Sequence, residues 1–248
     1  LLEDLGKKFN KINVYFLAGE SSVEKSLLNP KSFENSLISF NNVIECLKDF
    51  HSSLVFASSG AVYDSREKNY FNEKDRLYPP SPYAASKYAS EGLGLAYHET
   101  FGVDIRVARI FSVYGETMTR FFLYDLIKKI NYDSAPIILQ GTGKQERDYL
   151  HVSDVAKGLE LIMTKGNSGE IYNICSGKPT SLGRLCNHVL RILKREEIEI
   201  VWNNKKDTGT RDNWYGDNTK IKKIGFMKTE GDNLLNDTII KLNSYLKV

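Results

Sequence analysis

Short apolar runs alternate with amphipathic segments along the first half of the chain. The runs have the length of buried strands, and the amphipathic segments repeat their apolar positions at helical spacing. The predicted strands lie at 13–18, 53–57 and 103–110, and the predicted helices lie at 33–50 and 82–101. Alternation of strands with helices favours right-handed crossovers, and therefore a parallel sheet with helices on both faces.

The pattern changes after Gly115, where the segments become shorter and mixed. We predict helices at 119–130 and 181–194, two more helices near the carboxyl end, and strands at 137–139, 146–152, 170–174 and 198–202. The predicted fold class is α/β, a doubly wound parallel sheet with a smaller mixed α/β lobe. We divide the chain into a main domain at residues 1–115 and, at 116–248, mostly the lobe, with some segments returning to the main sheet.

Small and hydroxyl-bearing residues stand where the predicted strands end. Gly19, Ser59 and Ser112 each follow an apolar run. Because ligands of open parallel sheets bind outside the carboxyl ends of the strands, we expect these three residues to meet at one edge.

A tyrosine and a lysine near the start of the helix at 82–101 supply acid–base chemistry. Tyr83 and Lys87 are four residues apart and share a helix face, so the charge of the lysine is expected to lower the pKa of Tyr83 toward neutrality. A serine at the preceding strand end, Ser59 or alternatively Ser58, can hydrogen-bond the same substrate oxygen. Such a set moves a proton to or from a hydroxyl or carbonyl group.

Two other tyrosine–lysine pairs have the same spacing but a different context. Tyr70 and Lys74 lie in a polar stretch that is typical of a surface loop, and Tyr124 and Lys128 lie in an amphipathic helix. A structural role is favoured for both pairs.

The composition of the chain excludes several classes of binding partner. The net charge of +3 is too small to indicate nucleic acid or a membrane surface, and no apolar run reaches the length of a membrane span. Three scattered cysteines without a CxxC pair are typical of reduced thiols in a cytoplasmic protein. The four histidines share no metal-ligand spacing, so we expect no metal.

Several ordered segments resemble motifs of the extended short-chain dehydrogenase/reductase family, which includes nucleotide-sugar epimerases, dehydratases and ketoreductases. The resemblance covers nearly the whole chain, and its segments are residues 16–19, 56–63, 81–87, 109–115, 141–156 and 215–220. It implies a Rossmann-like sheet, NAD as cofactor with NADP not excluded, a nucleotide-diphosphate sugar as substrate, and a homodimer that pairs the helices at 33–50 and 83–101.

The resemblance also implies the roles of individual residues. The catalytic residues would be Ser59, Tyr83 and Lys87. The cofactor would contact Ala18, Gly19, Ala57, Ser58, Tyr83, Lys87 and Phe111. The substrate would contact Ser59, Ser112, Arg147, Arg211 and Trp214. Among these, Arg147 and Arg211 would bind the diphosphate, with Lys206 as the alternative to Arg211, and Trp214 would either limit the substituent at C2 of the sugar or serve in packing.

One family motif is absent from the chain. The glycine-rich turn that binds the cofactor pyrophosphate at a helix N-terminus lies upstream of the Gly19 position in the family, as does the residue that selects NAD or NADP. The chain begins Leu-Leu-Glu-Asp-Leu without methionine. We therefore expect an amino-terminal segment to be missing here.

Positions 60 and 61 select among the reactions of the family. The 4,6-dehydratases carry Asp-Glu directly after the catalytic hydroxyl residue and the decarboxylases carry a glutamate there, whereas this chain has Gly60 and Ala61. The cysteine that 3,5-epimerising reductases use nearby is also missing. We favour a nucleotide-sugar 4-epimerase that acts through a transient 4-keto sugar. The alternatives are an NAD(P)H-dependent 4-keto nucleotide-sugar reductase and, from another class, a catalytically silent binding or scaffold homologue.

Overall fold

A computed structural model describes residues 4, 6, 8–66, 68–205 and 213–247. The strands are β1 (Ile12–Phe16), β2 (Ser52–Ser59), β3 (Tyr70–Phe71), β4 (Asp104–Ile110), β5 (Ser112–Tyr114), β6 (Ile137–Leu139), β7 (Glu146–His151), β8 (Ile171–Ile174), β9 (Pro179–Ser181), β10 (Ile200–Trp202) and β11 (Asn213–Gly216). The helices are α1 (Val23–Leu28), α2 (Glu34–Leu47), α3 (Pro82–Phe101), α4 (Phe122–Tyr132), α5 (Val152–Lys165), α6 (Leu182–Leu193), α7 (Thr219–Lys223) and α8 (Asn233–Leu246).

The main sheet is parallel throughout and has the strand order β1-β2-β4-β8. Successive residues of β2 point to opposite faces, so Phe56 packs with Phe40 of α2, while Val55 packs with Ile162 of α5. Both faces are therefore covered by helices. The predicted doubly wound α/β fold is confirmed.

The second sheet has the order β3-β11-β7-β5, with β9 antiparallel along β7, and β6 and β10 form a separate parallel pair. Helices α4, α6 and α8 share an apolar core beside it that includes Leu126, Val189 and Ile239. Strand β8 lies in the main sheet next to β4 although it follows the lobe strands in sequence. The division of the chain at residue 115 stays a prediction.

Helix α3 has the bounds that the sequence predicted, because both of its ends are marked by specific residues. The backbone amide of Ala84 donates to the hydroxyl of Ser81 (3.3 Å), and Pro82 occupies the first turn, where an amide is not needed. Gly102 ends the helix with φ +70°, a conformation that favours glycine. These ends place Tyr83 in the first turn, directly beside the carboxyl end of β2.

Other predicted bounds differ by a few residues for local reasons. Helix α2 begins at Glu34 because Pro30–Phe33 form a separate 3-10 turn, and β1 ends at Phe16, before the predicted end at residue 18. Among the described residues, none of the helices combines the length and apolar character needed to cross a membrane.

Candidate active site

A cleft of about 810 Å³ lies at the carboxyl edge of the main sheet, between that edge and residues of the lobe. It collects residues from the ends of β2 and β4, from the first turns of α3, and from β7 and β11. Among the sequence-predicted residues that line it are Gly19, Ala57, Ser58, Ser59, Tyr83, Lys87, Phe111, Ser112, Arg147 and Trp214. Ala18 is not among the lining residues, although its neighbours Leu17 and Gly19 are. Lys206 and Arg211 lie outside the described residues.

Ser59 and Tyr83 meet inside the cleft. Ser59 is the last residue of β2, and its hydroxyl accepts from the Ala61 amide (3.2 Å) and lies near the Tyr83 phenol, whose pKa it lowers. Both side chains are buried, with exposures of 6% and 9%. The two hydroxyl groups can therefore contact one substrate oxygen in a site that admits little water.

Lys87 lies one turn along α3 and is oriented by the strand. Its ammonium donates to the Ala57 carbonyl (2.8 Å) and lies 5.2 Å from the centre of the Phe56 ring. Burial lowers the pKa of Lys87 to about 8, and the charge of Glu91 acts in the opposite direction. The ammonium is thus held beside the end of β2 and retains further donors for a ligand.

The expected effect of Lys87 on Tyr83 is wrong for this structure. Burial raises the pKa of Tyr83, and the nearby Ser59 side chain acts against that rise. The physical reason is that the phenolate would lose its hydration, while the Lys87 ammonium is bonded to the Ala57 carbonyl. The phenol form of Tyr83 is therefore favoured at neutral pH.

Ser58 and Ser59 have different roles in the structure. The Ser58 hydroxyl donates to the carboxylate of Glu91 from α3, and both residues are buried. The same carboxylate forms an ion pair with Arg109 of β4, whose Nη2 lies 2.7 Å from Oε2. The Ser58 hydroxyl is thus engaged with Glu91, whereas the Ser59 hydroxyl lies near Tyr83.

An aromatic wall borders the cleft beside Gly60, the residue after Ser59. Trp214 of β11 stacks on Phe111 with 5.2 Å between ring centres, and the Phe111 ring also lies against Tyr63. A methyl group on Gly60 would lie 2.8 Å from Cζ3 of Trp214 and 2.9 Å from Cε1 of Phe111. The absence of a side chain at Gly60 therefore makes room for the two rings.

The lobe contributes polar groups opposite the sheet edge. Ser112 of β5 and Arg147 of β7 line the cleft, and the Arg147 Nη1 donates to the Glu146 carbonyl (2.9 Å). Tyr149, two residues on from Arg147, is also in the lining. The pKa of Tyr149 is raised because the side chain is buried, and the nearby charge of Arg147 offsets only part of this rise.

Sequence reasoning missed an ion pair at the mouth of the cleft. Arg120 Nη1 donates to Glu20 Oε1 (3.0 Å), and Arg120 Nη2 donates to the Ser21 hydroxyl (2.7 Å). Desolvation raises the pKa of Glu20, but bonds from Lys25, two backbone amides and Arg120 together lower it to about 2. Glu20 follows Gly19 at a strand end, so the sequence could have indicated its place, whereas Arg120 carried no such signal.

Comparisons with known proteins agree with this geometry. A dTDP-glucose 4,6-dehydratase of Streptomyces griseus is 32% identical over 219 residues, which are 86% of this chain and 66% of the relative. A UDP-glucuronate 4-epimerase of Thermodesulfobacterium geofontis is 33% identical over 216 residues, which are 85% of this chain and 65% of the relative. The chain thus spans just under two thirds of the length of these curated relatives.

A solved structure gives the same picture. The dTDP-glucose 4,6-dehydratase DesIV of Streptomyces venezuelae, a double mutant with NAD and DAU bound, superposes with a TM-score of 0.85 at 26% identity and covers 97% of this chain and 75% of its own. The family described as NAD dependent epimerase/dehydratase matches residues 2–175, in agreement with the predicted NAD-type cofactor. The chain therefore belongs to the NAD-dependent epimerase/dehydratase family, within the extended short-chain dehydrogenase/reductase group that its motifs resemble.

Proposed function

We propose that this protein is an NAD-dependent nucleotide-sugar 4-epimerase that acts through a transient 4-keto sugar, with Tyr83 as the acid and base. The observation that carries the proposal is that Ser59, Tyr83 and Lys87 converge in one cleft while Gly60 and Ala61 supply no further acid or base. Oxidation and reduction at C4 need only the first three residues. Elimination of water would need an additional proton-transfer group.

The described residues fit the nicotinamide end of the cofactor. Gly19 has φ +122°, and a methyl group there would lie 3.1 Å from the Ser36 hydroxyl, so the chain after β1 passes close to α2 and leaves the cleft open. Lys87 points its ammonium toward the strand end, where it can bind ribose hydroxyls. Ala57 and Ser58, at the end of β2, and the apolar ring of Phe111 would contact the rest of the nicotinamide end of the cofactor.

Each catalytic side chain has one task in this proposal. Tyr83, once ionised to the phenolate, would take the proton of the sugar 4-hydroxyl and later return it to the 4-keto oxygen, and Ser59 would hydrogen-bond that oxygen throughout. Lys87 holds the cofactor ribose. When bound, the nicotinamide would supply, in its oxidised form, a hydride acceptor for C4 and a positive charge that favours ionisation of Tyr83 and, in its reduced form, a hydride donor to the opposite face of the 4-keto sugar after that sugar has turned over in the cleft.

Packing around Gly60 argues against dehydratase chemistry in this chain, although dehydratases are among its relatives. A side chain at position 60 would collide with Trp214 and Phe111, and those rings are held by stacking. A carboxylate at this position would therefore have to displace the aromatic wall. Ala61 likewise offers no acid.

Substrate recognition follows from the lobe side of the cleft. Arg147 would bind the diphosphate through its guanidinium, which matches phosphate oxygens, and Ser112 would donate a further hydrogen bond. Trp214 would form the wall that limits the C2 substituent of the sugar. Arg211 stays a candidate for the second diphosphate ligand.

Two further parts of the proposal concern the state of the protein in the cell. We propose a homodimer through α2 and α3, because the outer face of α3 is exposed and carries Ala85, Tyr88, Ala89 and Gly92, small or flat residues that allow close helix packing. We propose a cytoplasmic location, in line with the free cysteines.

The test is NMR of the full-length protein with NAD and no reductant, using UDP-galactose and UDP-glucuronate as separate substrates. Inversion at C4 is expected, and Tyr83→Phe should lower kcat by about 10²- to 10⁴-fold because the proton carrier is lost. Tyr124→Phe, from the pair of equal spacing in α4, is the matched control and should keep wild-type activity. No inversion with either sugar, together with NADPH consumption on a 4-keto nucleotide sugar, would instead identify a reductase, and inactivity in every assay would favour the silent homologue.

A further inference from the structure

A buried carboxylate lies on the same helix face as the catalytic pair. Tyr83, Lys87 and Glu91 follow each other at four-residue spacing on α3, and the side chain of Glu91 is only 2% exposed. A carboxylate removed from water costs free energy unless it is paired and hydrogen-bonded. Its position in the fold is therefore set by the groups that surround it.

The carboxylate of Glu91 joins three elements. It accepts from the Ser58 hydroxyl of β2, and from Nε (3.0 Å) and Nη2 (2.7 Å) of Arg109 in β4. The Arg109 side chain is also only 2% exposed, and its guanidinium lies 4.8 Å from the centre of the Tyr63 ring. Glu91 thus connects the catalytic helix to the two central strands of the main sheet.

The strand end that carries Ser59 is held to the helix at two successive residues. Lys87 donates to the Ala57 carbonyl, and the next residue, Ser58, donates to Glu91. Ser59 follows directly, with its hydroxyl near Tyr83. A shift of this strand end relative to α3 would therefore separate the two hydroxyl groups that contact the substrate oxygen.

Glu91 also lies one helical turn from Lys87, so its charge acts on the Lys87 ammonium, although its ion pair is with Arg109. Two other titratable or charged groups lie around Lys87: Tyr83 on α3, and Arg109 of β4, which is paired with Glu91. Strand β2 contributes two uncharged groups, the Ala57 carbonyl and the Phe56 ring. Farther along the cleft lie the charged side chains of Glu24, Lys25, Arg120, Asp125 and Arg147. Burial lowers the pKa of Lys87 and the negative charge of Glu91 raises it.

A buried ion pair is weak evidence for stability, because its desolvation offsets its attraction. We propose that Glu91 is a positioning residue, which fixes the end of β2 against α3 through Ser58 and keeps Lys87 in its ammonium form beneath the reacting groups. The proposal rests on the proposed function for its catalytic part. Its electrostatic part concerns Lys87 alone and can be tested without any substrate.

The chain offers a matched control at the opposite ends of the same strands. Asp104 accepts from the Ser53 hydroxyl of β2 (2.6 Å) and pairs with Arg106 of β4 (2.6 Å), which repeats the serine–carboxylate–arginine arrangement far from the cleft. Asp104→Asn therefore removes a carboxylate charge that lies between a serine of β2 and an arginine of β4, without touching Lys87.

The first experiment is competitive acetylation of the full-length protein over a pH series, with the Lys87 peptide quantified by mass spectrometry. Glu91→Gln should increase labelling of Lys87 at pH 7 by about threefold or more, because the ammonium loses its negative partner. Asp104→Asn should label like wild type. Equal labelling in wild type and Glu91→Gln, or an equal increase in both variants, would overturn the electrostatic part whatever the enzyme's reaction is.

The second experiment measures steady-state kinetics of the inversion at C4. Glu91→Gln should lower kcat by about tenfold or more with a smaller change in KM, since misplacement of the reacting groups affects the chemical step. If Glu91→Gln does not fold because Arg109 is left unpaired, Ser58→Ala decides, because it keeps the ion pair and removes only the hydroxyl. Wild-type kcat in Ser58→Ala would overturn the positioning part, and a lowered kcat with an unchanged melting temperature and an unchanged Kd for NAD would support it.

Discussion

The space above Gly60 gives a sharp test of the site, through the substitution Gly60→Ala. The added methyl would lie 2.8 Å from Cζ3 of Trp214 and 2.9 Å from two atoms of the Phe111 ring. Carbon atoms prefer separations of at least about 3.5 Å, so a ring must move by about 0.7 Å. Phe111 cannot retreat, because Tyr63 and Gly216 lie close to it as well.

The displaced ring is therefore expected to be Trp214, which is half-buried and borders the cleft. Overpacking of this kind costs about 1–3 kcal/mol, so the free energy of unfolding of Gly60→Ala should fall by about 2 kcal/mol and the melting temperature by roughly 4–8 °C. Because the indole moves toward the sugar, KM should rise as well.

The matched control is Gly92→Ala. Gly92 lies in the exposed middle of α3, and a methyl group there meets nothing within 4 Å. At protein concentrations where the proposed homodimer through α2 and α3 is dissociated, that substitution should raise the free energy of unfolding by about 0.5–1 kcal/mol, because alanine favours a helix over glycine.

Urea denaturation of both variants is the assay. The double variant Gly60→Ala, Trp214→Phe should recover part of the loss, since the smaller ring vacates the contact, and the double-mutant cycle gives the coupling energy. A Gly60→Ala protein with wild-type stability, or a cycle without coupling, would refute the claim that the indole occupies the space beside position 60.

Three further outcomes follow from the site. The value of kcat/KM should fall as pH rises through about 8, because Lys87 then loses its proton and its positive charge. Burial lowers the pKa of Lys87 to about 8, although the charge of Glu91 acts in the opposite direction. A pH–rate profile that stays flat to pH 9.5 would contradict this role. The buried Asp148 carboxylate accepts hydrogen bonds from three backbone amides, at 2.6, 2.9 and 3.3 Å. Asp148→Ala leaves these amides without a partner, so it should lower the free energy of unfolding by about 3 kcal/mol in urea denaturation. Arg147→Ala should raise KM for the nucleotide sugar by about tenfold with little change in kcat, and an unchanged KM would remove this residue from the diphosphate site.

Local signals predicted the larger elements well. Helix α3 is delimited by Ser81 and Pro82 at one end and Gly102 at the other, so its bounds needed no knowledge of the rest of the fold. Three of the short strands were missed for the opposite reason, whereas β6 and β10, which are equally short, were predicted. Strands β3, β5 and β9 have two or three residues each and exist because distant segments pair with them, as when Tyr70 of β3 lies beside Tyr215.

The choice between adjacent serines shows where sequence reasoning ends at the site. Neighbouring residues of a strand point to opposite faces, so the sequence could say that one of Ser58 and Ser59 faces the substrate. The structure separates them by their partners, because Glu91 accepts from Ser58 while Tyr83 lies with Ser59. The pKa of Tyr83 was predicted with the wrong sign for a similar reason, since burial and the direction of the Lys87 ammonium depend on the packed fold.

The two serine–carboxylate–arginine sets at strands β2 and β4 differ in their surroundings, so only the set at the carboxyl ends can bear on the proposed catalysis. At the amino ends, the Asp104 side chain is 30% exposed, so water screens its charge and its effect stays local. At the carboxyl ends, Glu91 and Arg109 are each 2% exposed, so their fields act in a medium of low polarity. The buried Glu91 carboxylate lies one helical turn from Lys87. It also accepts from Ser58, the residue before Ser59 on β2. The same arrangement of side chains is therefore structural at one end of the strand pair and, at the other, able to set both the position and the protonation of the catalytic groups.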